Sequence, residues 1–170
     1  MLMRRILHNV KLHSVLLSDE IDTITLYLDL EVLRLGERFS YEINCSSLIN
    51  ADFVKIPPMI IQPFIENSIW HGIMNRDERN GKVIISFHQK GDYLCIEILD
   101  DGVGRKRAKE LQDVSDKFRK STGLKSISRR MQVLNEIYKT RLSYKIEDLE
   151  DEFKNALGTK ITLNIPIDYA

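Results

Sequence analysis

IPPMIIQPFIENSIWHG, residues 56–72, is an apolar stretch with a polar pair, Glu66-Asn67, near its middle. Pro57-Pro58 suits a first helical turn, where the missing N–H bonds nothing and φ is already helical. At about 100° per residue, Ile61, Phe64, Ile65, Ser68 and Gly72 share one face, the expected core face. Asn67 and His71 lie four apart on a neighbouring edge, and Glu66 sits beside Gln62, roughly 100° round from Asn67. Packing alone does not call for Glu-Asn in so apolar a helix. Asn67 is therefore expected to face a ligand, and His71 to support the helix end.

The 170 residues suit one domain with room for a core and an appendage. Lys+Arg and Asp+Glu balance at 25 each, so no overall field argues for nucleic acid. Cys45 and Cys95 stand singly within apolar/polar alternation, which predicts buried thiols in a reducing compartment, with neither a disulfide framework nor a metal site. No run approaches the roughly 20 apolar residues of a bilayer span, and no secretory signal is visible.

Residues 1–35 read as helical, with Ser18-Asp19-Glu20 as a start, a stripe through Ile21, Ile24, Leu28 and Leu35, and Gly36 as the stop. Alternation predicts strands at 39–43, 82–88, 93–99, 142–146 and 160–167, with a hairpin turn at Gln89-Lys90-Gly91-Asp92. Residues 105–122 are highly charged and read as a mobile segment with a short helix around 108–111. Gly123 to Tyr138 is a second amphipathic helix. Strands flanked by helices that can pack on one sheet face predict an α+β, two-layer sandwich.

Three segments carry candidate chemistry. Asp100-Asp101-Gly102-Val103-Gly104 ends a strand, and a carboxylate before close-approach glycines can accept from an exocyclic amine; alone it reads first as an ordinary Asp/Gly turn. Lys120-Ser121-Thr122-Gly123-Leu124 opens a helix, where free N–H groups and a lysine suit phosphate, or where Ser121 or Thr122 simply caps. An Asn67 amide oxygen is a hard ligand suited to Mg²⁺, or half of a satisfied polar pair.

In order along the chain, these segments resemble the ATP-binding fold shared by gyrase, chaperone, histidine-kinase and MutL proteins, a Bergerat-type sandwich with a mixed sheet. PPMIIQPFIENSIWHG is similar to the N box of LytS-type sensor histidine kinases, P-x-x-L-Q-P-L-V-E-N-A-x-x-H-G. LLSDEIDTITLYLDLEVLRLGERFSYEI resembles the same group's L-x-x-E-I-x-x-x-x-Y-L-x-x-E-x-x-R segment. The resemblance implies a tail of the dimerisation/phosphotransfer helices at 1–36 and an ATPase domain at 37–170. Asn67 matches the magnesium-binding Asn, Asp100 the adenine-recognising Asp, Gly102 and Gly104 the G1 box, and Ser121 to Leu124 the G2 box. The family's Gly-x-Gly-Leu is here Ser121-Thr122-Gly123-Leu124, with Lys120 as an added cation. Residues 105–122 correspond to the ATP lid.

The implied activity is histidine kinase. ATP and Mg²⁺ are held by these residues, Glu66 acts as general base, and the γ-phosphate passes to a histidine on an upstream helix of the same protein. It then passes to a response regulator. His8 and His13 do not match the phosphoacceptor box, P-H-F-L-F-N, which this chain lacks. A homodimeric inner-membrane sensor with this region in the cytoplasm is the implied setting, with ATP/ADP as ligand and no nucleic-acid partner. Two rival readings are a nucleotide-binding pseudokinase, which Ser121 favours, and a serine-phosphorylating anti-sigma-factor kinase of the same superfamily.

Overall fold

The computed structural model describes residues 14–76, 80–115 and 122–167, with backbone alone for 112–115 and 122–125. In chain order the elements are β1 (Val15–Leu16), α1 (Leu17–Leu35), β2 (Phe39–Cys45), β3 (Lys55–Ile56) and α2 (Gln62–Asn67). They continue as β4 (Gly81–Lys90), β5 (Tyr93–Asp100), α3 (Gly104–Ser115), α4 (Thr122–Tyr138), β6 (Ser143–Glu150) and β7 (Ala156–Pro166). Five strands form a mixed sheet in the order β2-β4-β5-β7-β6, in which β2 runs parallel to β4 and the other pairs are antiparallel.

Period-two alternation builds the inner layer. Val83, Ile85 and Phe87 on β4, Leu94, Ile96 and Ile98 on β5, and Ile161, Leu163 and Ile165 on β7 are all buried. Against them pack Ile24 and Leu28 of α1, Phe64 and Ile65 of α2, and Ile127 and Met131 of α4. Each large side chain so buried contributes about 1.5–3 kcal/mol. The alternate positions, Ser86 and His88 on β4 and Cys95 and Glu97 on β5 among them, lie on the opposite sheet face. The two-layer α+β sandwich with an N-terminal helix is thus the architecture expected from the sequence. The β4–β5 hairpin turns at Gly91-Asp92, where Gly91 takes φ +59°. No helix among the described residues is long and apolar enough to cross a membrane.

Four expectations need correction. Val15–Leu16 is not helical but pairs antiparallel with Lys55–Ile56. The loop supplying β3 also accepts the first free N–H groups of α1, Leu17 to Val54 O at 2.8 Å and Ser18 to Ala51 O at 3.1 Å. Pro57-Pro58 does not open the central helix. Met59 is left-handed at φ +54°, and α2 begins at Gln62 with Pro63 in its first turn. The helix around 108–111 extends over Gly104–Ser115, and residues 116–121 lie outside the described ones. Of the two thiols, Cys95 is buried but Cys45, at the end of β2, is exposed.

Candidate functional site

The candidate site gathers where α2 runs over the end of β5. α2 does not continue as a regular helix: Ser68–Gly72 forms a π turn, followed by a 3₁₀ turn at Ile73–Asn75. A wide π turn and then a tight 3₁₀ turn both re-aim side chains relative to the 100° progression. Ile61, Phe64, Ile65, Ser68 and Gly72 are buried as the periodicity predicts, whereas His71 is exposed and its carbonyl accepts from the Asn75 amide at 2.9 Å.

Beneath the π turn lies Asp100, at the last position of β5 and only 2% exposed. Burial pushes its carboxyl up to about 6, against the Ser68 hydroxyl and the Gly102 and Thr159 backbones, which favour the carboxylate. Gly102 N–H donates to Asp100 Oδ1 at 3.0 Å. Ser68 Oγ is buried without a partner in full hydrogen-bond geometry, yet its hydroxyl lies close enough to act on Asp100. The periodicity of the sequence puts Ser68 on the core face but gives it no role; a lone hydroxyl there is the available signal.

Glycine makes this approach possible. A Cβ on Gly72 would lie 2.9 Å from Asp100 Oδ1, and one on Gly102 would lie 2.5 Å from the Gly72 Cα. Val103 N–H donates to Gly72 O at 3.3 Å, so the two glycine-containing turns cross backbone to backbone above the carboxyl. Gly104 starts α3 at φ +74°. Asp101, beside Asp100 in sequence, is structural: it accepts Lys82 N–H at 2.8 Å and pairs with Arg76 at 2.9 Å.

Asn67, the last residue of α2, carries a buried Nδ2 with no hydrogen-bond partner. An unpaired buried amide end costs free energy that packing does not return, and such orphans mark positions where a ligand completes the bonding. Glu66 is oriented by Gln62, whose Nε2 donates to Oε1 at 2.9 Å. Its charge is felt at Tyr27 of α1, whose hydroxyl is pushed up to about 12, chiefly by burial. The Arg34 guanidinium of α1 sits 4.7 Å from the ring of Trp70 in the π turn.

Among the phosphate-side candidates, Thr122, Gly123 and Leu124 form the first turn of α4, while Lys120 and Ser121 lie outside the described residues. Sequence reasoning missed two residues that fix the approach to α2. Glu20 of α1 is 1% exposed and accepts Met59 N–H, and Arg130 of α4 donates to Met59 O and Pro58 O.

No family model matches the chain. It is 28% identical over 159 residues to the sensor protein LytS of Enterococcus faecalis, covering 91% of this chain and 25% of that protein. It is 34% identical over 98 residues to the Staphylococcus epidermidis sensor protein LytS, covering 58% of this chain and 16% of that one. The sensor histidine kinase/phosphatase LytS of Staphylococcus aureus matches at 31% over 98 residues, again 58% and 16%. The chain thus spans between 16% and 25% of the length of these relatives. In fold it is similar to the catalytic domain of histidine kinase ThkA, with TM-score 0.57 and 16% identity over 91% of this chain and 96% of that one. The mycobacterial sensor histidine kinase MprB gives TM-score 0.56 at 16% identity, over 91% and 97%. In sequence the chain is thus similar to part of the LytS sensor proteins, and in fold to the catalytic domains of histidine kinases.

Proposed function

We propose that this region binds Mg-ATP and donates the γ-phosphate to a histidine imidazole on an upstream helix of the full-length protein, for relay to a response regulator. The observation that carries the nucleotide reading is the buried Asp100 carboxyl beneath the Gly72–Gly102 crossing. One oxygen is held by Gly102 N–H, and the carboxylate is suited to accept from an exocyclic purine amine. Asn67 would hold Mg²⁺ through its amide oxygen, and its unpartnered Nδ2 supports a ligand there. When bound, Mg²⁺ would neutralise charge on the β- and γ-phosphates. The first turn of α4, with Thr122, Gly123 and Leu124, offers free N–H groups to the phosphates. Lys120 and Ser121 belong to the same proposed segment.

Glu66 is proposed as the group that takes the proton of the accepting imidazole. The reach of its charge to Tyr27 of α1 supports this, because α1 continues the segment read as the tail of the dimerisation/phosphotransfer helices (1–36). The ATPase domain is then 37–170. A response regulator as partner is supported by the likeness to histidine kinase ThkA solved in complex with the response regulator TrrA, TM-score 0.59 at 12% identity over 98% of this chain and 46% of that one. Homodimerisation and an inner-membrane sensor with this region in the cytoplasm complete the proposal.

Calorimetric titration of Mg-ATP and ADP into this chain, beside Asp100→Asn and Asn67→Asp, tests the binding half. No heat and no thermal shift with the unaltered chain sinks it. The transfer half requires the full-length protein with labelled ATP. Nucleotide binding without histidine phosphorylation there would favour the pseudokinase reading, for which Ser121 in place of glycine is the supporting feature.

A further inference from the structure

Away from that site, His88, Cys95 and Glu97 bring three metal-ligand groups together, with one donor atom from each lying within 4.8 Å of the other two. The antiparallel ladder creates the cluster. His88 on β4 stands opposite Cys95 on β5, and Glu97 follows Cys95 by two, so the three side chains share one sheet face. This is the face opposite the helical layer. Counting cysteine spacings cannot find such a site, because its ligands come from two strands joined by a hairpin.

We propose that His88, Cys95 and Glu97 form a binding site for a borderline-soft divalent cation of the zinc class. The mixed nitrogen, sulfur and oxygen donor set suits Zn²⁺ and does not suit Mg²⁺, which favours oxygen alone. Three protein ligands leave a fourth tetrahedral position for water. Two paired strands hold the donors, so little ordering remains to be done on binding. The cation bonds a His88 ring nitrogen, a Glu97 oxygen and the Cys95 sulfur; the S–H bond breaks and its proton leaves to buffer.

The local charges set the terms of that exchange. Burial and the Glu97 charge hold the Cys95 thiol above its ordinary range, while Lys90 and Lys160 act the other way. A bound cation reverses the balance and favours the thiolate. Lys160 Nζ lies 2.6 Å from Glu97 Oε1, so the lysine stands in for a metal's charge when none is bound and competes with one that enters. The carboxylate has two oxygens, which allows sharing at a cost in affinity.

The test is a Co²⁺ titration of the metal-stripped, phosphine-reduced chain in a Cys45→Ser background, which removes the exposed thiol. The expected result is a thiolate-to-cobalt charge-transfer band saturating at one equivalent, displaced by Zn²⁺ and untouched by saturating Mg-ADP. Cys95→Ser should abolish the band. His88→Gln should weaken binding by more than the roughly 10- to 100-fold that loss of a mere supporting partner costs. Lys160→Met, which frees Glu97, should tighten it. Absence of the band in the parent, its persistence in Cys95→Ser, or indifference to His88→Gln and Lys160→Met overturns the site. The last two variants alter half-buried residues and decide the matter even if Cys95→Ser does not fold.

Discussion

The Met59 backbone N–H donates to Glu20 Oε2 at 3.0 Å, across 39 residues of sequence. Through this bond α1 grips the left-handed residue that turns the chain into α2. Arg130 of α4 closes the clamp from the other side, donating to Met59 O at 3.1 Å and to Pro58 O. Three elements that border the candidate site therefore meet at one short turn.

Glu20 makes this clamp sensitive to pH. Burial pushes its carboxyl up from 4.5 to about 7, although Met59 N–H, neighbouring backbone groups and Arg130 favour the charged form. The folded state holds this proton more tightly than the unfolded chain. Its contribution is fully favourable below pH 4.5 and is lost as pH rises to about 7, in all roughly 3 kcal/mol. Glu20→Gln keeps an acceptor for Met59 N–H without the charge. Urea unfolding should show the variant gaining on the parent between about pH 5 and 8, with the curves converging in acid. Glu20→Ala should instead lose about 1–3 kcal/mol in acid, because Met59 N–H is left unpaired, and that deficit should shrink as pH rises and the parent loses its own advantage.

Asp100 gives a second pH dependence, this time in binding. Its carboxyl sits at about 6 in the free protein, and a bound amine donor favours the ionised form. Adenine-nucleotide affinity should therefore fall as pH drops through about 6 and level off above about 7. Asp100→Asn should bind about 10- to 100-fold more weakly at about pH 7.5 and lose that pH dependence. A parent affinity flat from about pH 5 to 8 would remove Asp100 from the binding surface.

The two kinds of glycine should separate cleanly. Gly102→Ala drives a methyl into the Gly72 backbone, 2.5 Å away, and should cost about 1–3 kcal/mol in urea unfolding. Gly91, in the hairpin turn, has nothing within 4 Å of a built Cβ and only its φ of +59° to satisfy. Gly91→Asn should be nearly neutral, since asparagine tolerates that region. Equal losses at both positions would mean the Gly72–Gly102 crossing is looser than the structure has it.

What the sequence disclosed follows from the range of the interactions involved. Alternation in β4, β5 and β7 and the stripes of α1 and α4 are local patterns, and each element appears where its period predicts. Asp100 and Asn67 stand out in the sequence because polar groups interrupt those patterns. The turn at Met59 is illegible there, because a left-handed residue after two prolines is held by Glu20 and Arg130, both distant in sequence. The π turn at Ser68–Gly72 is likewise imposed by the fold: Gly72 must meet Gly102 over Asp100, and no local signal states that. Tertiary contacts also decide Val15–Leu16, whose partner strand is two residues long.

Asn67 offers a test that divides stability from function. Its Nδ2 is buried with no partner, so the fold gains little from the amide and bears part of its desolvation cost, on the order of 1–3 kcal/mol. Asn67→Leu, similar in volume and without polar atoms, should unfold at the same urea concentration as the parent or a higher one. The same variant should lose the Mg²⁺-dependent part of ATP affinity while keeping the binding that nucleotide shows in the presence of a chelator. Residues retained at the expense of stability are those whose chemistry is used. If Asn67→Leu destabilised the fold by more than about 2 kcal/mol and left the Mg²⁺ dependence intact, Asn67 would be a structural residue and the metal would have to be held elsewhere.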